Sequence, residues 1–503
     1  MRPFFPRIKR TGSARPATGA AWLAAGCLLL SCGPVFAQAF SPLPGDDDTT
    51  LSGDPVRTER TGATTATAAG TSPATPADGR TATPETTGSI STGSGEPLLN
   101  DPIIDEDLAR TNLRENTVDG LRSQLSLDRN DAPGVRFGSF VLKPTLGQTF
   151  NHETTKTGET RESRSYMETG LRGVLTSDWS RHQLMVTGEG TWQRNLSGTG
   201  ETEPTADINA ALRLDIGHAT TATLRAGYHF EREDSTDPNA VSNASVQSGI
   251  DQYTLGAGVE HDFGILRGSA RVDFDRYVYG DAELEGGGTL SLEDRNRNAG
   301  AVTVRLGYEL SPALIPFIEA SAGKSIYDLR MDTLGFERSY KSYGGRAGIE
   351  ADLGEKLSGE LALGYQTYRF DDARLEDLSG FTIDGLINWS PRRGTDITYG
   401  ISTGLEPSTT AGESGAMIYT LSSRATHELR TALVARLSNS LTFRNYPSGS
   451  SSDEKVWLTG AGLTWDMNRY LALTGDVSYE HTTRDSGPAS NTARVGVGLT
   501  LRR

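Results

Sequence analysis

From about Ser139 to its C-terminus the chain repeats one pattern, and that pattern leaves few folds open. The last stretch shows it most cleanly. Ala493, Val495, Val497, Leu499 and Leu501 fall on one side of an extended chain, while Arg494, Gly496, Gly498 and Thr500 fall on the other. Strict period-two alternation marks a β-strand with one apolar face. The opposite face is small and polar and carries a cation, which does not suit a packed core. It suits a strand that is apolar towards lipid and polar towards a wet lumen.

Counting by alternation predicts eighteen strands, near 139–150, 164–176, 183–194, 206–216, 221–232, 250–262, 265–279, 297–310, 314–326, 341–353, 356–370, 380–390, 395–403, 416–429, 432–445, 455–466, 470–482 and 492–501. Pro144 lies inside the first of these and cannot donate to a ladder, so it predicts a bulge or a late start to pairing. The connections alternate in length. Long polar stretches at 151–163, 195–205, 233–249, 280–296, 327–340, 371–379, 404–415, 446–454 and 483–491 interleave with turns of a few residues. Long loops at one end and short turns at the other are the habit of bacterial outer-membrane barrels, whereas a soluble sandwich gives no reason for them. An even strand number puts both chain ends on the short-turn, periplasmic side. The predicted fold class is therefore all-β: a transmembrane antiparallel β-barrel of about 18 strands over 135–503, with a disordered N-terminal periplasmic segment. Aromatic residues gather at strand ends, with Trp179, Phe263, Trp389, Trp465 and Tyr470 by the short turns and Trp192, Phe230 and Tyr479 towards the long loops. Two such girdles mark two membrane interfaces.

Composition agrees. Only 35% of the 503 residues are hydrophobic, thin for a large soluble core but in keeping with a polar lumen. Beyond the N-terminus no apolar run reaches the length of a transmembrane helix. Residues 1–37 read as a secretory signal peptide: a basic stretch ending at Arg15, an apolar stretch from Ala20 to Leu30, and cleavage after Ala37. Leu29-Leu30-Ser31-Cys32 offers a competing lipoprotein reading that would lipidate Cys32. Both cysteines, Cys27 and Cys32, lie in this segment. The formal net charge is −15, and near −20 without the signal's five cations, which argues against a nucleic-acid partner. Residues 38–134 read as a low-complexity periplasmic linker, rich in Thr, Ala, Pro, Gly and Ser, with a short helix predicted at 105–124.

Four stretches resemble the family named "putative β-barrel porin 2" of Gram-negative outer membranes. They are Arg136-Phe137-Gly138-Ser139-Phe140-Val141-Leu142-Lys143-Pro144, Gly335-Phe336-Glu337-Arg338-Ser339-Tyr340, Gly359-Glu360-Leu361-Ala362-Leu363-Gly364-Tyr365 followed by Phe370-Asp371-Asp372, and Gly380 to Pro391. The resemblance spans roughly 135–503 and implies an outer-membrane barrel. It brings no catalytic residues. The chain departs from the usual outer-membrane ending, closing on Leu501-Arg502-Arg503 instead of a terminal aromatic.

The residues themselves point to no enzyme. The seven histidines are scattered, and none pairs with a second ligand at metal spacing. No catalytic, cofactor-binding or metal site is expected. His229 and Glu231 share the inner face of one strand; they read either as a proton-transfer pair or as the two polar neighbours that a water-filled lumen produces by default. One pattern stands out. Arg172, Arg213, Arg225, Arg271, Arg305, Arg346, Arg424, Arg436 and Arg494 recur at the inner phase, a few residues from the periplasmic turns. Glu189, Glu309, Glu350, Glu360 and Asp384 accompany them, as do Glu168, Asp215, Glu231, Asp273 and Asp476. They read either as a solvated, mutually paired wall or as a pore-lining constriction whose field selects polar solutes. Acidic loop residues such as Asp281, Glu283, Glu285, Asp371, Asp372, Glu376 and Asp377 read as solvated loops, or as bridges through divalent cations to lipopolysaccharide.

The expected function is passive diffusion of small polar solutes through an outer-membrane pore. One alternative is an export conduit for an exopolysaccharide working with a periplasmic export component; another is a structural or adhesive barrel without transport. Outer-membrane lipid, lipopolysaccharide and the barrel assembly machinery are the remaining expected partners.

Overall fold

The computed structural model describes residues 132–503, apart from loop positions 199, 201, 234–239, 242, 333, 355, 409–411, 448–452 and 486. The signal segment, both cysteines, and the linker with its predicted helix up to residue 131 lie outside the described residues.

Eighteen long strands form one closed sheet. In chain order they are β1 (Phe140–Thr157), β2 (Thr160–Ser177), β3 (His182–Ser197), β4 (Thr205–Asp215), β5 (Thr220–Arg232) and β6 (Gly249–Asp262). Next come β7 (Leu266–Tyr279), β8 (Arg297–Tyr308), β9 (Leu314–Tyr327), β10 (Tyr340–Asp352), β11 (Leu357–Phe370) and β12 (Leu378–Arg392). The last six are β13 (Thr395–Pro407), β14 (Gly415–Arg430), β15 (Leu433–Asn445), β16 (Glu454–Asn468), β17 (Leu471–Arg484) and β18 (Ser490–Arg502). Each pairs antiparallel with the next, and β18 returns to β1 from Thr145↔Arg502 to Thr157↔Ser490. Closure matters because lipid offers no partner to a free edge: every backbone N–H and C=O in the wall must find its mate in a neighbouring strand.

Pro144 sits where that logic needs it. Its ladder with β18 starts only at Thr145, and its carbonyl accepts the N–H of Arg503 at 3.0 Å. The missing proline N–H therefore falls past the end of β18, which makes this the late start to pairing. A short lead strand, Val135–Phe137, turns through Gly138 at φ +59° and pairs with Phe140 to Leu142, beside the part of β1 that β18 does not reach. The chain thus enters the barrel at the short-turn end.

The alternation behaves as read. Along β18 the exposures of Leu499, Thr500 and Leu501 are 48%, 5% and 53%. Leu224, Val304, Leu306, Val477 and Val497 are likewise exposed, on the outside of the wall. Trp179, Phe263, Trp389, Trp465 and Tyr470 near the short turns, and Trp192 and Tyr479 near the long loops, are exposed too.

One predicted loop is not a loop. Residues 151–163 belong to β1 and β2, which run on as a ladder to Thr157↔Thr160 and close in a two-residue turn with Gly158 at φ +60°. A positive φ is what a tight two-residue hairpin demands. Here the alternation lapses because Thr154 to Arg161 carries no large apolar residue: the hairpin rises past the lipid, and neither face needs to be greasy. Two other long connections contain structure of their own. Ala244–Val246, Ala282–Leu284 and Thr289–Leu290 build a small three-stranded sheet between the loops after β5 and β7.

The wall has an irregularity between β12 and β13. Their ladder runs to Gly385↔Ile401 and stops. Beyond it side chains substitute for the ladder: Thr403 N–H donates to Asp384 Oδ1 at 3.0 Å, and Ile383 N–H donates to Thr403 Oγ1 at 2.9 Å. Above this point Leu405 and Met417, from the ends of β13 and β14, join a buried cluster with Tyr277, Tyr279, Tyr327, Tyr340, Tyr368, Leu378 and Leu292. Those tyrosines stand at the inward phase of β7, β9, β10 and β11. The barrel's apolar core therefore lies inside its long-loop end, on the β6–β14 side.

Candidate pore lumen

The predicted arginines all stand at the inward phase of their strands. The structure gathers most of them into groups with acids. The densest spans β7 to β12. Arg305, Glu319 and Arg346 are direct neighbours across β8, β9 and β10. Arg305 Nε lies 2.9 Å from Glu319 Oε2 and Arg346 Nε 2.8 Å from Glu319 Oε1, so one carboxylate holds two guanidinium groups. The other edge of Arg305 grips Glu360 of β11 with two bonds of 2.8 and 3.0 Å, and its Cζ lies 4.0 Å from the Phe317 ring centroid. Arg346 Nη1 reaches Asp384 of β12 at 3.4 Å. A pair that joins β8 to β11 passes over two intervening strands, which side chains achieve only on the concave side of a sheet. Nearby, Arg267 meets Glu309 at 3.1 Å and Arg271 meets Asp273 at 3.1 Å. Arg225, Arg271, Arg305, Glu319 and Glu350 line a recess of about 120 Å³ against this wall.

A second group surrounds the closure of the barrel. Arg436 of β15 meets Asp476 of β17 at 3.0 Å, and the strand between them contributes Gly462 to the same row. A Cβ on Gly462 would run into the Asp476 carboxylate and lie 3.3 Å from Arg436 Nη2. The absent side chain is the space in which the pair meets. Gly256 stands likewise between Arg225 and Asp273 in the register. Arg494 donates to the hydroxyl of fully buried Tyr166 at 3.1 Å, and Arg164 pairs with Glu153 at 2.8 Å. Arg172 is the register partner of Glu189, and Arg213 pairs with Asp215 at 3.0 Å. Arg424 lies between Thr398 and Ser438.

Some of this was not read from the residues. His229 does approach Glu231, Nε2 to Oε2 at 3.4 Å, but its closer contact is Asp207 on β4, Nδ1 to Oδ1 at 2.9 Å. Arg444 of β15 bridges Glu454 on neighbouring β16, at 2.6 Å, and Glu406 on β13, two strands away, at 3.3 Å. The inward tyrosine cluster was missed as well. Its signal was present: Tyr277, Tyr327, Tyr340 and Tyr368 share the inward phase near the long loops, and Arg297 lies among them, 4.2 Å above the Tyr277 ring. Among the acidic loop residues, Asp372 is committed within its loop. It accepts N–H bonds from Arg374, at 2.9 Å, and Glu337, at 3.1 Å, and holds the Arg374 guanidinium. The Arg374 side chain and those N–H groups hold its carboxyl well below the usual range. Among the described residues no group of three or more His, Cys, Asp or Glu side chains is placed to hold a metal ion.

A closed eighteen-stranded barrel, apolar outside and charged inside, with long loops at one end, defines an outer-membrane β-barrel. The chain belongs to the family described as "Putative beta-barrel porin 2", whose model matches residues 129–503. No curated protein matches it. Solved structures similar to it include three from Pseudomonas aeruginosa. OpdQ is 11% identical, covers 72% of this chain and 98% of its own, and has a TM-score of 0.35. OpdO is 12% identical, with coverages of 72% and 97% and a TM-score of 0.36. OccK2 (OpdF) is 12% identical, with coverages of 72% and 98% and a TM-score of 0.38. Likeness at that level carries no weight for solute or mechanism.

Proposed function

We propose that this barrel is a passive diffusion pore for small polar solutes, with a lumen narrowed by paired charge. The observation that carries the reading is the network of Arg305, Glu319, Arg346, Glu360 and Asp384, five charged groups on the concave face of β8 to β12. Fixed charges of both signs set side by side along one wet wall make a local field, which orients dipolar solutes and excludes apolar ones. Eighteen strands enclose enough room for an aqueous channel. The tyrosine cluster at the long-loop end narrows the mouth on one side, which favours small solutes over a polymer such as an exopolysaccharide.

Full-length protein in a planar bilayer tests this directly. Stepwise conductance is expected, with neutral sugars slowing ion flow in order of size. A barrel that inserts yet stays sealed, even after removal of residues 38–134, refutes the pore.

A further inference from the structure

The outer surface carries charge where the alternation calls for apolar residues. Lys324 on β9, Lys341 on β10 and Arg369 on β11 all take the outward phase and are exposed. The register pairs Lys324 with Lys341 and Lys341 with Arg369, so three cations on consecutive strands form one unbroken row. Like charges placed directly opposite each other in a sheet are unfavourable unless something between them is negative. Among the described residues Lys324 and Lys341 have no acid within 4 Å; Arg369 reaches one, exposed Asp377, at 3.8 Å, and its Cζ lies 6.0 Å from the Tyr343 ring centroid.

The row's depth in the wall indicates which kind of anion suits it. It lies near the long-loop ends of its strands, just above outward-facing Tyr343, Tyr365 and Phe381. Outward aromatics at strand ends mark the headgroup level of the membrane. Below the row the wall is shallow: Ala320 and Gly345 pair across β9 and β10, flanked by Val304 and Tyr365. With Ala322 between Lys324 and Ala320, small residues run down β9 beside Tyr343 and leave a furrow for an acyl chain below the cluster of donors.

We infer that Lys324, Lys341 and Arg369 form a binding site for the phosphorylated headgroup of an outer-leaflet glycolipid. The inference rests on the outer-membrane placement of the barrel but not on its conductance. Guanidinium and ammonium groups hold phosphate through charge-assisted hydrogen bonds, and a basic cluster at the headgroup level needs no further enclosure.

The test uses the full chain, folded in detergent and titrated with lipid A carrying two phosphates, one or none, with retained lipid counted by native mass spectrometry. Retention is expected to rise with phosphate number. The triple variant Lys324→Gln, Lys341→Gln, Arg369→Gln should weaken retention of the doubly phosphorylated form about tenfold or more. Lys455→Gln, outward on distant β16, should leave it unchanged. Equal retention by the triple variant and the parent overturns the site, as does equal loss with Lys455→Gln. Displacement of lipid by inorganic phosphate at the same concentration would show a free-anion site and overturn the lipid assignment. Heat-modifiable migration confirms folding; if the triple variant fails it, Lys341→Gln alone carries the test, with about a fivefold loss expected. Conductance of the triple variant should match the parent, so a failed pore and a failed lipid site are told apart.

Discussion

Moving a positive charge by one residue along β5 should turn a lumen change into a folding defect. Arg225 faces inward beside Leu224, which is 46% exposed on the outer wall. Leu224 stands four residues above Thr220, where the strand leaves its short turn. At about 3.3 Å per residue and a tilt of ~40°, it is roughly 10 Å up, near the middle of an apolar band about 25 Å tall. Leu224→Arg therefore places a cation close to the bilayer midplane, at a cost of about 2–4 kcal/mol. Each 1.4 kcal/mol is tenfold, so the folded fraction relative to the unfolded falls by about 30- to 700-fold. Arg225→Gln removes a charge from the wet side and should leave the barrel folded. Urea unfolding in lipid vesicles, followed by tryptophan emission, reads both. A silent Leu224→Arg together with a collapsing Arg225→Gln would mean that the faces are exchanged, since a one-residue slip flips every side chain. A wall with its faces exchanged cannot enclose an aqueous pore.

Three further outcomes follow from particular contacts. Neutralising Arg225, Arg305 and Arg346 together to Gln removes three cations and keeps the facing Glu319, Glu360 and Asp384, so the reversal potential in a salt gradient should move towards cation preference while the barrel still inserts. Gly462→Ala should push Asp476 and Arg436 apart and destabilise the barrel by about 1–3 kcal/mol, against little change for Gly475→Ala, whose Cβ meets nothing within 4 Å. Asp372→Asn should loosen the loop beyond β11, seen as faster proteolysis at neutral pH. The carboxyl is depressed in the fold, so its contribution is present above the ordinary carboxylate range of about 3.9 and fades as pH falls through its lower folded value. Parent and variant should converge only in strong acid.

Much of this protein is legible along the chain because a membrane wall is a local constraint. A strand in lipid must alternate, whatever its neighbours, so Leu499 and Thr500 declare their faces without any knowledge of β17 or β1. Loop lengths likewise declare which end faces the periplasm. Where lipid stops, so does the signal: β1 and β2 continue for several residues past the membrane, and with no apolar face demanded of them they read as a loop. What a local pattern cannot hold is which inward residues meet. Arg305 finds Glu360 two strands beyond its neighbour only because tilt and register bring them to the same height. Gly462 makes room for Arg436 and Asp476 for the same reason. The three cations outside are also separate in sequence, one per strand, each unremarkable alone. Closure and register set Lys324, Lys341 and Arg369 side by side, because adjacency across a sheet is a property of the pairing and not of the chain.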